Sequence, residues 1–175
     1  MAIQGQRAGG TPDYFLKIDE IKGESQDDKH RDEIQIESWS FGLTQSGSFG
    51  KVGGGGGAGK ASFEDFHFMM RSNVATPRIF LAGATGQHIP KAVLSCRKAG
   101  GKQEDYFVFT LSDVLVSSVK INGPDGAPDT RDIQPYDEFS LSFAKIELSY
   151  KMQDMKGGMG AAVKAGYDMV KNTKV

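Results

Sequence analysis

Apolar residues in this chain recur mostly at every second position and are rich in aromatic and β-branched types, the pattern of strands with one buried face. Tyr14, Leu16 and Ile18 share one face of a first strand, and Ala92, Leu94 and Cys96 share one face of a later one. The longest apolar stretch runs from Tyr106 to Ile121, with Tyr106 and Val108 on one side and Phe107, Phe109 and Leu111 on the other. A strand apolar on both faces needs cover on both, from the core on one side and from a neighbouring subunit on the other.

In three places the alternation slips by one residue. Ile34 and Ile36 give way to Trp39, Phe41 and Leu43; Phe139, Leu141 and Phe143 give way to Ile146, Leu148, Tyr150 and Met152; and Phe63 gives way to Phe66, Phe68 and Met70. A slip that keeps the apolar face inward is what a β-bulge produces, and bulges supply the bend of a closed or strongly curled sheet. The pattern therefore predicts an all-β domain that is a barrel with bulged strands, although Phe63, Phe66 and Met70 also fit helical spacing. Helix punctuation is clear in one segment: Thr76 as N-cap, Pro77 at the first helical position, the run Ile79-Phe80-Leu81-Ala82, and Gly86 as the stop. This predicts one short flanking helix over about Pro77–Thr85, with Gly83 inside it weakening the element. Residues 161–171 fit either type of element. Val163, Ala165, Tyr167 and Met169 alternate like a strand, towards which the reading leans, while the composition also suits a helix.

Composition narrows the function classes. At 175 residues the chain suits one domain with a sizeable core, read as residues 13–175 behind a flexible extension over residues 1–12. The 21 basic and 22 acidic side chains leave a formal charge of -1, so no chain-wide field favours nucleic acid or an anionic membrane. The first ten residues lack the apolar stretch of a secretory signal, and no run is long enough to span a bilayer, so neither a cleavable leader nor membrane insertion is expected. The single cysteine, Cys96, reads as a small buried hydrophobe. Glycine occurs 23 times, and the unbroken run Gly53, Gly54, Gly55, Gly56 and Gly57 costs too much backbone entropy to form a regular element alone.

The candidate chemistry is thin. Gly54 to Lys60 matches the G-x-x-x-x-G-K part of a phosphate-binding loop, but Ala61 stands where the magnesium-ligating hydroxyl belongs. His30, His67 and His88 are far apart, and none has a second ligand at metal spacing. His30 lies in the alternating run Asp27 to Glu33, where charges are expected to satisfy one another. The neighbouring carboxylates Glu64-Asp65 and Asp137-Glu138 point to opposite faces of a strand and read as solvated edges, and no nucleophile elbow occurs. No catalytic residue, cofactor or metal site is predicted.

Several motifs in order resemble one family. Asp13-Tyr14-Phe15-Leu16-Lys17-Ile18, Ile21-Lys22-Gly23-Glu24-Ser25, Ile34 to Gly42, Gly53 to Lys60, Ala84 to His88, Cys96 to Gly101 and Leu111 to Val119 are similar to segments of the Hcp (haemolysin-coregulated protein) family. Its members are tube subunits of bacterial type VI secretion systems. The resemblance implies a two-sheet β-barrel with one flanking helix, six copies in a ring, and rings stacked into a tube. It further implies a VgrG-type spike, a contractile sheath and effector proteins in the channel as partners. Synthesis would be in the cytoplasm of a Gram-negative bacterium, with secretion through the type VI system. A head-to-tail ring requires two different surfaces on each subunit.

Two sets of residues follow. Trp39 and Phe41 share a face, so Ser38 and Ser40 share the other and become candidates for the channel lining. The segment from Ser46 to Lys60, with Ser46, Phe49, Lys51, Gly53 to Gly57, Gly59 and Lys60, is the candidate loop ordered by a neighbouring subunit or ring. A monomeric β-barrel carrier of a small apolar ligand is the competing reading, and would need a private cavity.

Overall fold

The computed structural model describes residues 12–47, 58–98, 103–124, 134–153 and 158–175. In chain order the elements are β1 (Asp13–Ile18), β2 (Ile34–Ile36), β3 (Ser38–Ser40), β4 (Leu43–Gly47), β5 (Ala58–Phe63), β6 (Phe66–Arg71), α1 (Thr76–Thr85), β7 (Ile89–Arg97), β8 (Asp105–Asn122), β9 (Tyr136–Gln153), β10 (Met159–Asp168) and β11 (Thr173–Lys174). The protein is all-β with one short helix, as the alternation predicts, and residues 159–168 settle as strand. The proposed extension falls outside the described residues except for Pro12.

Nine strands belong to one antiparallel sheet that folds back over itself. Strands β8 and β9, 18 residues each, run through both halves of the fold. Their first shared half joins the layer β2-β1-β7-β8-β9-β10-β11; their other half, residues 114–122 with 136–143, joins β6 and β3 in a second layer. Burial shows where the pair bends. In β8 the buried residues Phe109 and Leu111 are followed by Val114 and Val116, and in β9 Phe139 and Leu141 are followed by Ile146. Both strands change phase at one level, between the pairs Ser112↔Lys145 and Val114↔Phe143, where Asp113 takes φ 54°. A single left-handed residue turns the pair while its apolar positions stay inside. One step further, Ser117 is an extra residue between Val116↔Leu141 and Ser118↔Ser140, a bulge that adds twist.

The other two slips are changes of partner. At Glu37 the chain leaves β1, the partner of β2, and joins β6 as β3, with the Glu37 N–H donating to the Met69 carbonyl at 2.8 Å. Glu64 and Asp65 separate β5, which among the described residues pairs only with β4, from β6, so Phe63, Phe66 and Met70 lie on strands and not on a helix. The space between the layers is filled by Leu16, Ile34, Phe66, Phe68, Leu111, Phe139 and Leu141, with Trp39 packed against them. Phe66 is the hub, with the rings of Trp39, Phe41, Phe68 and Phe109 all within 5.6 Å of its centroid.

Helix α1 closes one side of the core through Ile79 and Ala82. Thr76 is not its N-cap. The cap position is Ala75, and the Thr76 hydroxyl instead donates to the Asp137 carboxylate and accepts the Asn73 N–H at 3.0 Å. Gly86 ends the helix in the left-handed conformation, its N–H reaching the Ala82 carbonyl. Gly83 lets α1 lie close on β8, because a Cβ there would sit 3.3 Å from Val116 and Val119.

Removing the hub should be costly: Phe66→Ala is expected to lower unfolding stability by about 3–5 kcal/mol in urea titration, with far-UV circular dichroism still reporting β structure in the absence of denaturant.

Candidate functional site

The second layer presents its outward face as the most distinctive polar surface. Strand registers place Ser40, His67, Ser140 and Ser118 in one row across β3, β6, β9 and β8, and Ser38, Met69, Glu138 and Lys120 in the next. Trp39 lies between the two serines and turns inward, its ring 5.0 Å from that of Phe109, so Ser38 and Ser40 face outward and are exposed. Apart from buried Ser140, the two rows floor a trough of about 490 Å³ that spans all four strands. Its chemistry is mild. Ser140 shares hydrogen bonds with Ser117 at 2.8 Å and Ser118 at 2.5 Å, and Glu138 faces Lys120 across a strand pair. Met69 and Lys120 were not singled out from sequence, and His67 and Glu138 were weighed only as a metal ligand and an edge carboxylate, although alternation turns His67 and Met69 away from the inward Phe66, Phe68 and Met70.

A second surface lies where the layer β8-β9-β10 outruns the core. Its core-side rows are Leu111-Ile146-Tyr167, Phe109-Leu148-Ala165 and Phe107-Tyr150-Val163. Burial is lost along them, from Leu111 and Ile146 at 1–2% exposed to Val163 at 73%, with Met152 beside it at 70%. The β4-β5 hairpin projects here. It pairs with no other strand among the described residues, and it meets the main sheet where Phe63 stacks on Tyr167 at 5.4 Å. Between hairpin and sheet lies a cleft of about 590 Å³ lined by Phe41, Leu43, Phe63, Ile146, Leu148 and Tyr167 among others. Ser46 lies in β4, and Gly59 and Lys60 lie in β5, so the loop is shorter than the sequence suggested; Phe49, Lys51 and Gly53 to Gly57 lie outside the described residues. Gly59-Lys60 therefore continues into a strand, where a phosphate-binding loop would lead into a helix.

The remaining polar groups are structural. Asp137 is not a solvated edge residue: it is 1% exposed, in phase with Phe139 and Leu141, and accepts a 2.6 Å hydrogen bond from Ser72 as well as the Thr76 hydroxyl. His30 is satisfied within its charged run, as expected, but also by Asp105 on β8. His88 meets Asp113 at 2.9 Å on the surface. The three histidines stay on separate elements, and no group of three or more metal-ligating side chains occurs among the described residues.

Comparison with known proteins converges on one family. Residues 15–150 match the family model described as "Type VI secretion system effector, Hcp". The protein named hcp1 of Pseudomonas aeruginosa is 40% identical over 164 residues, which are 93% of this chain and 98% of that protein. The crystal structure of Hcp1 from Salmonella typhimurium superposes with a TM-score of 0.74 at 33% identity, covering 94% of this chain and 99% of that one. A solved structure described as a type six secretion system protein reaches a TM-score of 0.86 at 23% identity over 94% of this chain and all of that one, a likeness of fold.

The chemistry of Cys96 gives a direct check. Burial first, and then the charge of Asp105, push its thiol up to about 12 against a weaker lowering by Trp39, so the native thiol should not react with a thiol-specific reagent at pH 8. The same reagent should titrate one thiol per chain after denaturation.

Proposed function

Because the chain belongs to the Hcp family of type VI secretion proteins, we propose that it is the ring-forming subunit of a secretion tube, six copies to a ring and ring upon ring. The observation that carries this reading is the second layer, whose two outer strands have free edges. Neither β3 nor residues 115–122 of β8 has a further strand beside it among the described residues, and the face between these edges is polar. Free edges are a liability in a monomer and a joint in a closed ring. If the β3 edge of one copy docks on the β8 edge of the next, the layers run on as one cylindrical wall. The row of Ser38 and Ser40 then lines the channel, together with His67, Glu138 and Lys120. A lining of hydroxyls and balanced charge holds a folded cargo protein weakly and lets it go.

The apolar overrun of β9 and β10 and the projecting hairpin supply the second surface, reaching a neighbouring subunit or ring. Residues 13–175 act as a single domain in this scheme. The subunit performs no catalysis: a sheath drives the tube outward, a spike caps it, and effectors travel inside. Export follows the type VI route, and no helix among the described residues is long and apolar enough to cross a membrane. A carrier barrel would keep a hollow interior, whereas the space between these layers is filled by aromatic and aliphatic side chains.

Native mass spectrometry of the purified protein is expected to give a hexamer, and a strict monomer at all concentrations would overturn the proposal. Ser40→Arg should leave rings intact while reducing cargo retained on co-purification; undiminished cargo would remove Ser40 from the lining. Deleting Gly53–Gly57 should leave a folded subunit whose rings no longer stack, as read by electron microscopy.

A further inference from the structure

Residues 19–33, between β1 and β2, form a strap on the side of β1 that faces away from the main core. Phe15 points into this strap and is 2% exposed, although it lies on the opposite face of β1 from Leu16 and Ile18. The His30 ring stacks on it at 4.4 Å, and the Arg97 guanidinium lies over it at 4.9 Å. His30, 5% exposed, meets a carboxylate with each ring nitrogen: Nδ1 with Glu33 of the strap at 2.8 Å and Nε2 with Asp105 of β8 at 3.0 Å. A neutral imidazole has one N–H and cannot donate to both, so with both carboxylates ionised this geometry calls for the imidazolium.

We infer that the strap is a latch held by one proton: protonated His30 fastens residues 22–33 to β8, and its deprotonation at alkaline pH frees the strap while the two-layer core stays folded. The surrounding groups make this proton decisive. Asp27, Lys29 and Glu33 come from the strap, Asp13 from β1, Arg97 from β7 and Asp105 from β8. Four carboxylates thus pair with His30 and Arg97 when His30 is charged, and with Arg97 alone when it is neutral, while the Lys29 ammonium sits on the Gln103 carbonyl. Among the described residues, residues 22–33 have few other polar ties to the body of the fold: Arg97 with Asp27 at 2.6 Å, Lys29 on the Gln103 carbonyl at 2.9 Å, and the Val74 N–H on Glu24 at 3.1 Å; residues 19–21 stay anchored through the Asp19 N–H on the Lys91 carbonyl at 3.0 Å, Gln87 on Glu20 at 2.9 Å, and Ile21 in the core.

The pH window follows from the direction of the shift. Burial alone would lower the His30 pKa, but hydrogen bonds and charge from Asp105 and Glu33 outweigh it and raise the value from 6.5 to about 9. A raised folded value means that the attachment is complete below the unfolded pKa and is lost as pH rises through about 9.

Nuclear magnetic resonance of the full chain, with labelled histidine rings and isoleucine methyl groups, tests the latch between pH 7 and 10.5. The His30 ring should titrate near pH 9, and the methyl groups of Ile21 and Ile34, core residues at the two ends of residues 22–33, should follow the same midpoint while Ile79 and Ile146, on other elements, stay unmoved. Asp105→Asn should lower that midpoint by about 1–3 pH units, and His30→Gln should show the released methyl positions already at pH 7. Strap signals that ignore the His30 titration, or a midpoint unchanged in Asp105→Asn, would overturn the inference; the Asp105→Asn variant decides the matter even if His30→Gln fails to fold.

Discussion

Every β-sheet has to place its edges, and here the bend in one strand pair decides where they go. Strands β8 and β9 change phase together at Asp113 and Ala144, and one continuous ladder becomes two facing layers. Because the same two strands serve both layers, each layer inherits the other's position, and the aromatic cluster around Phe66 fills the space between. The bend does not close the sheet. It leaves β3 and the second half of β8 as edges of the second layer, and leaves β9 and β10 running past the core with Tyr150, Met152 and Val163 uncovered. These open edges and uncovered side chains, beside a well-buried core, are the surfaces that the proposed ring would finish with other copies of the chain.

Much of this was legible along the chain. The slips of alternation at Glu37, at Ala144 and at Glu64-Asp65 mark corners, because an apolar face can follow a turning sheet only by changing phase. Sequence alone could not say that two of the corners are changes of partner strand and one is a bend within a strand, since pairing is decided by contacts between residues far apart in sequence. Trp39 and Phe41 fixed the phase of Ser38 and Ser40 correctly. The rest of the polar face was hidden for want of register, which alone sets His67 beside Ser40 and Lys120 beside Glu138.

The misreadings have a common cause. Thr76 has the residue type and position of an N-cap, and Asp137 has the look of a solvated carboxylate. The two side chains found each other across 61 positions, with Ser72 on the same carboxylate. Asp137 carried a signal all the same: it is in phase with Phe139 and Leu141, the inward residues of its strand. His30 was expected to be satisfied locally and is, but its second partner, Asp105, ties a loop to a strand far along the chain. In each case a polar group met a partner far along the chain, which short-range rules do not reach.

The central claim is that the second layer's free edges are covered by neighbouring copies. Amide hydrogen exchange followed across protein concentration addresses it most directly, since edge amides exchange quickly in an isolated chain and slowly once paired. Protection of residues 38–40 and 115–122 that appears with assembly and fades on dilution is the result this account predicts. Exchange at these positions that remains equally fast in the assembled and dissociated protein would contradict it.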